Sequence, residues 1–221
     1  MEDRFSKIDR DRFYHLIAAR RDIRQFTSKP VPLNILKRMI WAAHHAPSVG
    51  FMQPWNFIII ESLKYKQRVK SVFEKMNQQE LKKITDSKRR ALYSKLKLEG
   101  IMEAPMNLAI TCDRYRDAPF VLGRGTMRET DLFSVCLAIQ NMWLAARVEG
   151  IGIGWVSIMN RRAVERILHL PKGIRLVAYL CIGYPTRFDK KPMLQKVGWK
   201  QRLNLNKLVF YNRWGNKNRS I

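Results

Sequence analysis

The sequence Ala43-His-His-Ala-Pro-Ser-Val-Gly-Phe-Met-Gln-Pro-Trp-Asn-Phe57 combines a helix end, a turn and the start of a strand. Pro47 and Gly50 end the helix, because the residue before a proline is pushed out of the helical region. In the turn, the large apolar residues Phe51 and Met52 stand where a solvated loop has polar residues. Gln53 follows them and supplies an amide group. These residue types are typical of a turn that surrounds a flat ligand.

Working outward from this turn, a second motif upstream reads Arg20-Arg-Asp-Ile-Arg24. It places three guanidinium groups and one carboxylate within five residues, a set that suits a phosphate with a reactive group beside it. The alternative is an ordinary ion pair, which spacing alone favours. The arginines are expected to keep Asp22 ionised. We predict that the motif and the turn belong to one site.

Length and composition predict a globular protein with a real core. The 221 residues fit one α/β or α+β domain, or at most two small ones, and 46% are hydrophobic. Cys112, Cys136 and Cys181 lie in separate apolar runs, which predicts buried free thiols in a reducing compartment. We therefore expect a cytoplasmic protein with no membrane span and no metal centre.

The net charge of +24 raises a nucleic-acid hypothesis, since phosphate neutralisation drives nonspecific binding. The basic residues are interleaved at helical spacing with apolar ones, and no zinc-finger, RNP-like or helix-turn-helix pattern accompanies them. Solvated, lysine-rich helix faces are the favoured interpretation, and this pattern does not predict a nucleic-acid partner. A positive field still helps to attract an anionic substrate.

Hydrophobic periodicity predicts one α+β domain over residues 1–221. Asp9 is the predicted N-cap of the first helix, whose buried face is Phe13, Leu16 and Ile17. The predicted helices are 10–20, a second one ending at 47, 63–78, 84–100, 131–149 and 161–168, and the predicted strands are 55–61, 106–112, 151–158 and 176–183. Helices 63–100 are lid candidates, Gly100 is a helix stop, and residues 184–221 form a loop-rich C-terminal extension.

The sequence Ile151-Gly-Ile-Gly-Trp155 is a poor dinucleotide fingerprint, because its glycines lie inside a predicted strand. Such glycines let a flat ring or another backbone approach closely. Ser157 lies in no GxSxG elbow, so a nucleophilic role is not expected.

Five motifs together carry a family resemblance. They are Arg20–Arg24, Ala46–Phe57, Leu96-Lys-Leu-Glu-Gly-Ile101, Gln140-Asn-Met-Trp-Leu-Ala-Ala-Arg147 and Gly152-Ile-Gly-Trp-Val-Ser-Ile158. In this order they resemble the nitroreductase-like flavoprotein superfamily and, within it, the 5,6-dimethylbenzimidazole synthases, over about residues 12 to 214. The resemblance implies an α+β fold with a central mixed β-sheet flanked by helices. It also implies a homodimer with the flavin site at the subunit interface.

The resemblance implies that reduced FMN is a substrate. Dioxygen is the co-substrate, no metal is needed, and a separate NAD(P)H–flavin reductase supplies the reduced flavin. The products are 5,6-dimethylbenzimidazole, the lower ligand of cobalamin, and erythrose 4-phosphate. The alternative within the superfamily is an NAD(P)H-dependent oxidoreductase that retains FMN, and the remote alternative is the basic nucleic-acid-binding protein.

The resemblance also implies roles for single residues. Asp22 is the catalytic base, and Ser157 orients protons near the ring. The flavin-binding residues are Arg20, Arg21, Asp22, Ile23, Arg24, Ser48, Gly50, Gln53, Leu98, Gly154, Val156, Ser157 and Arg202.

Overall fold

A computed structural model describes residues 4–217, which divide into two compact units between Phe188 and Asp189. The first unit contains six α-helices and four strands: α1 (Lys7–Ala19), α2 (Leu33–His44), β1 (Trp55–Ile60), α3 (Leu63–Lys83), α4 (Ser87–Ser94), β2 (Met106–Asp113), α5 (Thr130–Val148), β3 (Gly152–Trp155), α6 (Arg161–Ile167) and β4 (Ile174–Gly183). The second contains α7 (Met193–Lys196) and a 3-10 turn, Leu205–Lys207. Within residues 4–217 no helix is long and apolar enough to span a bilayer.

The strands form one sheet in the order β1-β2-β4-β3. All three ladders are antiparallel, so the predicted mixed character is limited to one isolated parallel bridge, between Asp22 and Ile153. The continuous apolar sequence of β1 is typical of a strand that is buried on both faces. However, β1 is an edge strand, and Ile59 is 45% exposed. The fully buried strand is β2, whose residues are buried from Met106 to Cys112.

The two faces of the sheet carry separate apolar layers. One face packs against α2 and α5, through residues such as Met39 and Met142. The other packs against α3 and α6, through Val69 and Val164. The predicted end of α5 is confirmed, since Gly150 follows the helix with φ +71°, a conformation that glycine adopts without strain.

The N-terminal predictions need correction. The cap of α1 is Ser6, whose Oγ accepts a hydrogen bond from the Asp9 N–H at 3.2 Å. Its predicted buried face is not buried, since Phe13 and Ile17 are 52% and 43% exposed. Cys136 is also exposed, contrary to prediction, whereas Cys112 and Cys181 are buried free thiols. The periodicity of an apolar face does not say which surface covers it.

The region predicted as two lid helices has other boundaries. Helix α3 runs on to Lys83, α4 ends at Ser94, and Gly100 does not end a helix. A Cβ on Gly100 would lie 2.6 Å from the Phe26 ring and 2.9 Å from the Arg24 carbonyl oxygen, so this glycine permits close packing. Helix α3 is anchored, because Lys66 is buried and its Nζ donates to the carbonyl of Ala104 at 2.8 Å.

Candidate functional site

The segment Arg20–Arg24 lies along the free edge of β3. The Ile23 N–H donates to the Ile153 carbonyl oxygen at 2.9 Å, and this bond sets the register of the segment against the strand. A Cβ on Gly154 would lie 2.0 Å from the Ile23 carbonyl oxygen. The predicted close approach at this glycine is therefore confirmed, and the group that approaches is a backbone.

Asp22 is held at the end of β3 by two neighbours. Its Oδ1 accepts from the Trp155 N–H at 3.0 Å, and its Oδ2 forms an ion pair with Nη2 of Arg24. The same Nη2 donates to the Trp155 carbonyl oxygen at 2.7 Å. The carboxylate thus has a fixed orientation although 43% of its side chain is exposed.

Partial desolvation is the largest influence on the acidity of Asp22, although part of its side chain is exposed. Desolvation raises its pKa above the ordinary value of 3.8 and outweighs Arg24, the Trp155 N–H and Arg20, which lower it. The arginines lower this pKa, as expected, but they do not fully offset the effect of desolvation. That Asp22 is ionised stays a prediction. A carboxylate with a raised pKa is better suited to accept a proton.

Arg24 has unused donor capacity. Its Nε and Nη1 are buried and have no hydrogen-bond partner within residues 4–217. Because buried donors are nearly always satisfied in proteins, an anionic ligand fits these atoms. Arg20 stacks over the Trp143 ring at 4.8 Å, and Arg21 donates from Nη1 to the Ala18 carbonyl at 2.6 Å.

Sequence reasoning missed the supporting role of Trp143. Its Nε1 donates to the Arg21 carbonyl at 3.2 Å while its ring lies under Arg20. The signal was present, since Trp143 lies in the quoted motif at 140–147, but a helical tryptophan is usually assigned to the core.

The remaining predicted residues near β3 occupy different environments. Val156 is buried, and its N–H donates to the Tyr179 carbonyl at 2.9 Å. Ser157 is exposed just beyond the strand. Leu98 is half-buried, and Gly100, two residues later, packs against the Arg24 backbone. The structure therefore brings Arg20–Arg24, Leu98, Gly154, Val156 and Ser157 into one region.

The turn after α2 is built by local hydrogen bonds. Ser48 Oγ accepts from the Gln53 N–H at 3.0 Å, and Gly50 has φ +52°. A Cβ on Gly50 would lie 2.8 Å from the Leu122 carbonyl oxygen, so only glycine fits there. Phe51 is 80% exposed while Met52 is buried, so only one of the two predicted apolar side chains faces outward.

A cavity of about 490 Å³ adjoins this turn. Phe51, Gln53 and Trp55 line it together with Arg116, which donates to the Gln53 carbonyl. Its size is within the usual range for small-molecule sites.

Within one chain the turn and the arginine motif are far apart. The turn leads into β1 and the motif lies beside β3, at opposite edges of the four-stranded sheet. The three spacings between β1 and β3 amount to about 14 Å, and the motif lies beyond the outer edge of β3. Helix α5 gives a similar separation. Near one end Ser134 accepts a hydrogen bond from the Val49 N–H, and nine residues later Trp143 donates one to the Arg21 carbonyl. Nine residues of helix correspond to a rise of about 14 Å. Arg202 lies exposed in the second unit, and its place in the site stays a prediction.

Comparison with known proteins assigns the fold to a family. Residues 17–184 match the model of the Nitroreductase family. A solved structure of oxidized iodotyrosine deiodinase bound to FMN and 3-iodo-L-tyrosine is 26% identical, with a TM-score of 0.71, and the match covers 91% of this chain and 100% of that one. The chain belongs to the nitroreductase family, and the predicted nitroreductase-like α+β fold is confirmed.

Two similar proteins with assigned functions indicate a narrower group within this family. The 5,6-dimethylbenzimidazole synthase of Rhodospirillum rubrum is 38% identical, with coverage of 87% of this chain and 91% of the relative. The 5,6-dimethylbenzimidazole synthase of Rhodobacter capsulatus is 36% identical, with coverage of 90% and 96%. The resemblance predicted from the motifs is confirmed, and the chain is an enzyme of this superfamily.

Proposed function

We propose that this enzyme converts reduced FMN and dioxygen into 5,6-dimethylbenzimidazole and erythrose 4-phosphate. The observation that carries the proposal is the pair formed by Asp22, with its raised pKa, and Arg24, with two unpaired buried nitrogens, at the end of β3. The identity to 5,6-dimethylbenzimidazole synthases over most of the chain supports the same reaction.

The arginine motif supplies the phosphate grip. A guanidinium group binds phosphate through paired N–H donors, and Arg24 offers two that no described residue uses. Arg20 is held over Trp143, which limits the positions of its charge. The family resemblance implies a phosphate contact for Arg202 as well, which stays a prediction.

Asp22 and Ser157 take the proton-handling roles. Reduced FMN supplies the electrons and the carbon skeleton, and the chain must remove protons from its ribityl carbon at a fixed point. Asp22 is oriented by Trp155 and Arg24, and one side of its carboxyl group remains open to a ligand. Ser157 presents a hydroxyl just beyond β3, where it orients a proton by hydrogen bonding without acting as a nucleophile.

A second copy of the chain completes the site in this proposal. Ser48, Gly50 and Gln53 lie at the opposite sheet edge from Asp22, so a partner's turn is the source that would bring them to the flavin. Exposed apolar side chains on α1 and α5 provide a surface for dimerisation: Phe13, Tyr14, Ile17, Phe133 and Leu137. The long, weakly charged α5 suits such an interface.

In this proposal the lid consists of the segment after α3 and does not include α3 itself. Helix α3 is anchored through Lys66, whereas α4 has no buried residue. Closure by α4 and residues 95–98 would exclude water from a flavin beside Arg24 and Leu98.

Product analysis tests the function. Purified enzyme is incubated in air with FMN, NADH and a separate flavin reductase, and the products are identified by mass spectrometry. We expect 5,6-dimethylbenzimidazole from the wild type and from the control Asp11→Asn, whose carboxylate lies exposed on α1. Asp22→Asn should bind reduced FMN and form no product.

An enzyme that retains FMN gives a different result. It purifies yellow, oxidises NAD(P)H without an added reductase and leaves the flavin intact. That combination, without 5,6-dimethylbenzimidazole, would refute the proposed reaction.

A further inference from the structure

A second concavity, of about 1020 Å³, lies in the first unit and includes none of the residues assigned to the flavin. Its walls are the loop 114–128, helix α6 and the turn 170–175. Most of the side chains that line it are basic or apolar. It is twice the size of the cavity beside Gln53.

The walls of this basic cavity are fixed to one another. The Arg114 N–H donates to the Gly173 carbonyl oxygen at 3.1 Å. The Tyr115 ring packs on Gly173, where a Cβ would lie 2.4 Å from the ring, and Gly173 has φ +94°. Loop and turn therefore form a preorganised concave surface, which lowers the entropic cost of binding a ligand.

Two carboxylates beside these walls, Asp131 and Glu165, are already engaged by arginines. Asp131 is fully buried, and its Oδ2 pairs with Arg114 Nε at 2.9 Å and Arg124 Nη2 at 2.8 Å. Glu165 Oε1 pairs with Arg161 at 2.5 Å and accepts from the Leu176 N–H at 2.9 Å. The two acids offset part of the positive charge of the three arginines with which they pair.

Five further cations around the cavity have no carboxylate partner among residues 4–217. All are exposed at the cavity surface: Arg128, Arg162, Arg166, Lys172 and Arg175. Like charges gathered in a concave surface raise its positive potential and the local concentration of anions. Five of the 42 basic residues of the chain thus gather at one shaped site.

We propose that this cavity binds a ligand of the nucleoside di- or triphosphate class, at a site separate from the flavin. A triphosphate chain carries about −3 to −4 at neutral pH, which five cations can neutralise. The exposed rings of Tyr115 and Phe120 line the same cavity, where a planar base can stack on them. The cavity has the volume of a small-molecule site and not the extent of a nucleic-acid groove. This proposal goes beyond the flavin reaction and does not depend on it.

Calorimetric titration with ATP, inorganic triphosphate and a 12-nucleotide single-stranded DNA tests the proposal on the whole enzyme. We expect ATP and triphosphate to bind. The variant Arg162→Ala/Arg166→Ala/Arg175→Ala should lose about 100-fold in affinity for both, since charged hydrogen bonds are removed. The matched control Lys64→Ala/Arg68→Ala/Lys75→Ala removes the same charge from exposed positions of α3 and should bind as the wild type does.

Other outcomes overturn the proposal. If ATP does not bind, the cavity is not a nucleotide site. If both triple variants lose the same affinity for ATP, only the general positive field attracts it. DNA affinity that exceeds ATP affinity and rises with length means an extended nucleic-acid surface. Loss of reduced-FMN binding in the cavity variant, with its thermal unfolding unchanged, means that the cavity belongs to the flavin site.

Discussion

The Ile23 carbonyl oxygen occupies the space that a side chain on Gly154 would need, 2.0 Å from the Cβ position. The missing side chain lets the segment Arg20–Arg24 lie against β3, and the register that follows brings Asp22 to the Trp155 N–H. A glycine in the middle of a strand thereby positions the carboxylate of the proposed reaction.

The variant Gly154→Ala should lose stability, because its methyl group collides with a backbone atom that cannot rotate away. Overpacking of this kind costs about 1 to 3 kcal/mol, measured by denaturant unfolding. Gly125→Ala is the control, since no heavy atom lies within 4 Å of its Cβ position and its φ is ordinary. Equal stability of the two variants would mean that the segment does not depend on this close approach.

Removal of the Arg24 guanidinium should weaken binding of reduced FMN. We expect Arg24→Ala to raise the dissociation constant about 10- to 100-fold, because a charge-assisted contact is lost. Reduced riboflavin lacks the phosphate, so its affinity should not change, and Arg68→Ala on α3 should affect neither ligand. Equal losses for FMN and riboflavin would assign Arg24 to the shape of the site and not to the phosphate.

The raised pKa of Asp22 predicts how stability depends on pH. A carboxyl group whose pKa is raised on folding favours the folded state below its ordinary value of 3.8, and this contribution is lost as pH rises through the folded pKa. At pH 7 the ionised group therefore costs stability, and Asp22→Asn should unfold at a higher temperature than the wild type. The difference in unfolding temperature should vanish near pH 3. If Asp22→Asn is instead less stable than the wild type at pH 7, the raised pKa is contradicted.

The contribution of Glu99 to stability should depend on pH in the opposite direction. Burial alone would raise its pKa, but the Lys70 ammonium at 2.6 Å and the Ile101 N–H lower it below the ordinary 4.5. Its contribution is present above that value and is lost as pH falls through the folded pKa. We expect Glu99→Gln to cost about 1 to 3 kcal/mol at pH 7 and less at pH 4.

The control for Glu99 is Glu103→Gln. Glu103 pairs with Lys97 but is 42% exposed, and exposed pairs contribute about 0 to 1 kcal/mol. If both variants lose a similar free energy of unfolding at pH 7, burial of Glu99 has no special role in fixing the segment that carries Leu98.

Mixed dimers test whether two chains share one site. Asp22→Asn and Gln53→Ala should each be inactive alone, because each removes one half of the proposed site. A dimer with one chain of each kind has one intact site, formed by Asp22 of one chain and Gln53 of the other. Random mixing should restore about a quarter of the wild-type activity, and no recovery in confirmed mixed dimers would place both halves within one chain.

Local sequence signals predicted much of the fold. Gly150 at the end of α5 and the glycine pair in β3 have local physical causes, and both predictions are confirmed. The boundaries between 63 and 100 were wrong because polar helix faces continue without a clear stop, so α3 extends beyond the expected end to Lys83.

Long-range features were not encoded in any local pattern. The order β1-β2-β4-β3 depends on pairing between distant segments, and it places the Ser48–Gln53 turn across the sheet from Asp22. The raised pKa of Asp22 likewise depends on packing around β3, which the neighbouring arginines in the sequence do not reveal.

The most direct measurement of the central claim is a single turnover. Reduced FMN is bound anaerobically in equal amount to the enzyme, the complex is mixed with aerated buffer, and all products are quantified by mass spectrometry. We predict one 5,6-dimethylbenzimidazole and one erythrose 4-phosphate for each FMN consumed by the wild-type enzyme, and oxidised FMN alone from Asp22→Asn. Full recovery of intact oxidised FMN from the wild-type enzyme would contradict it.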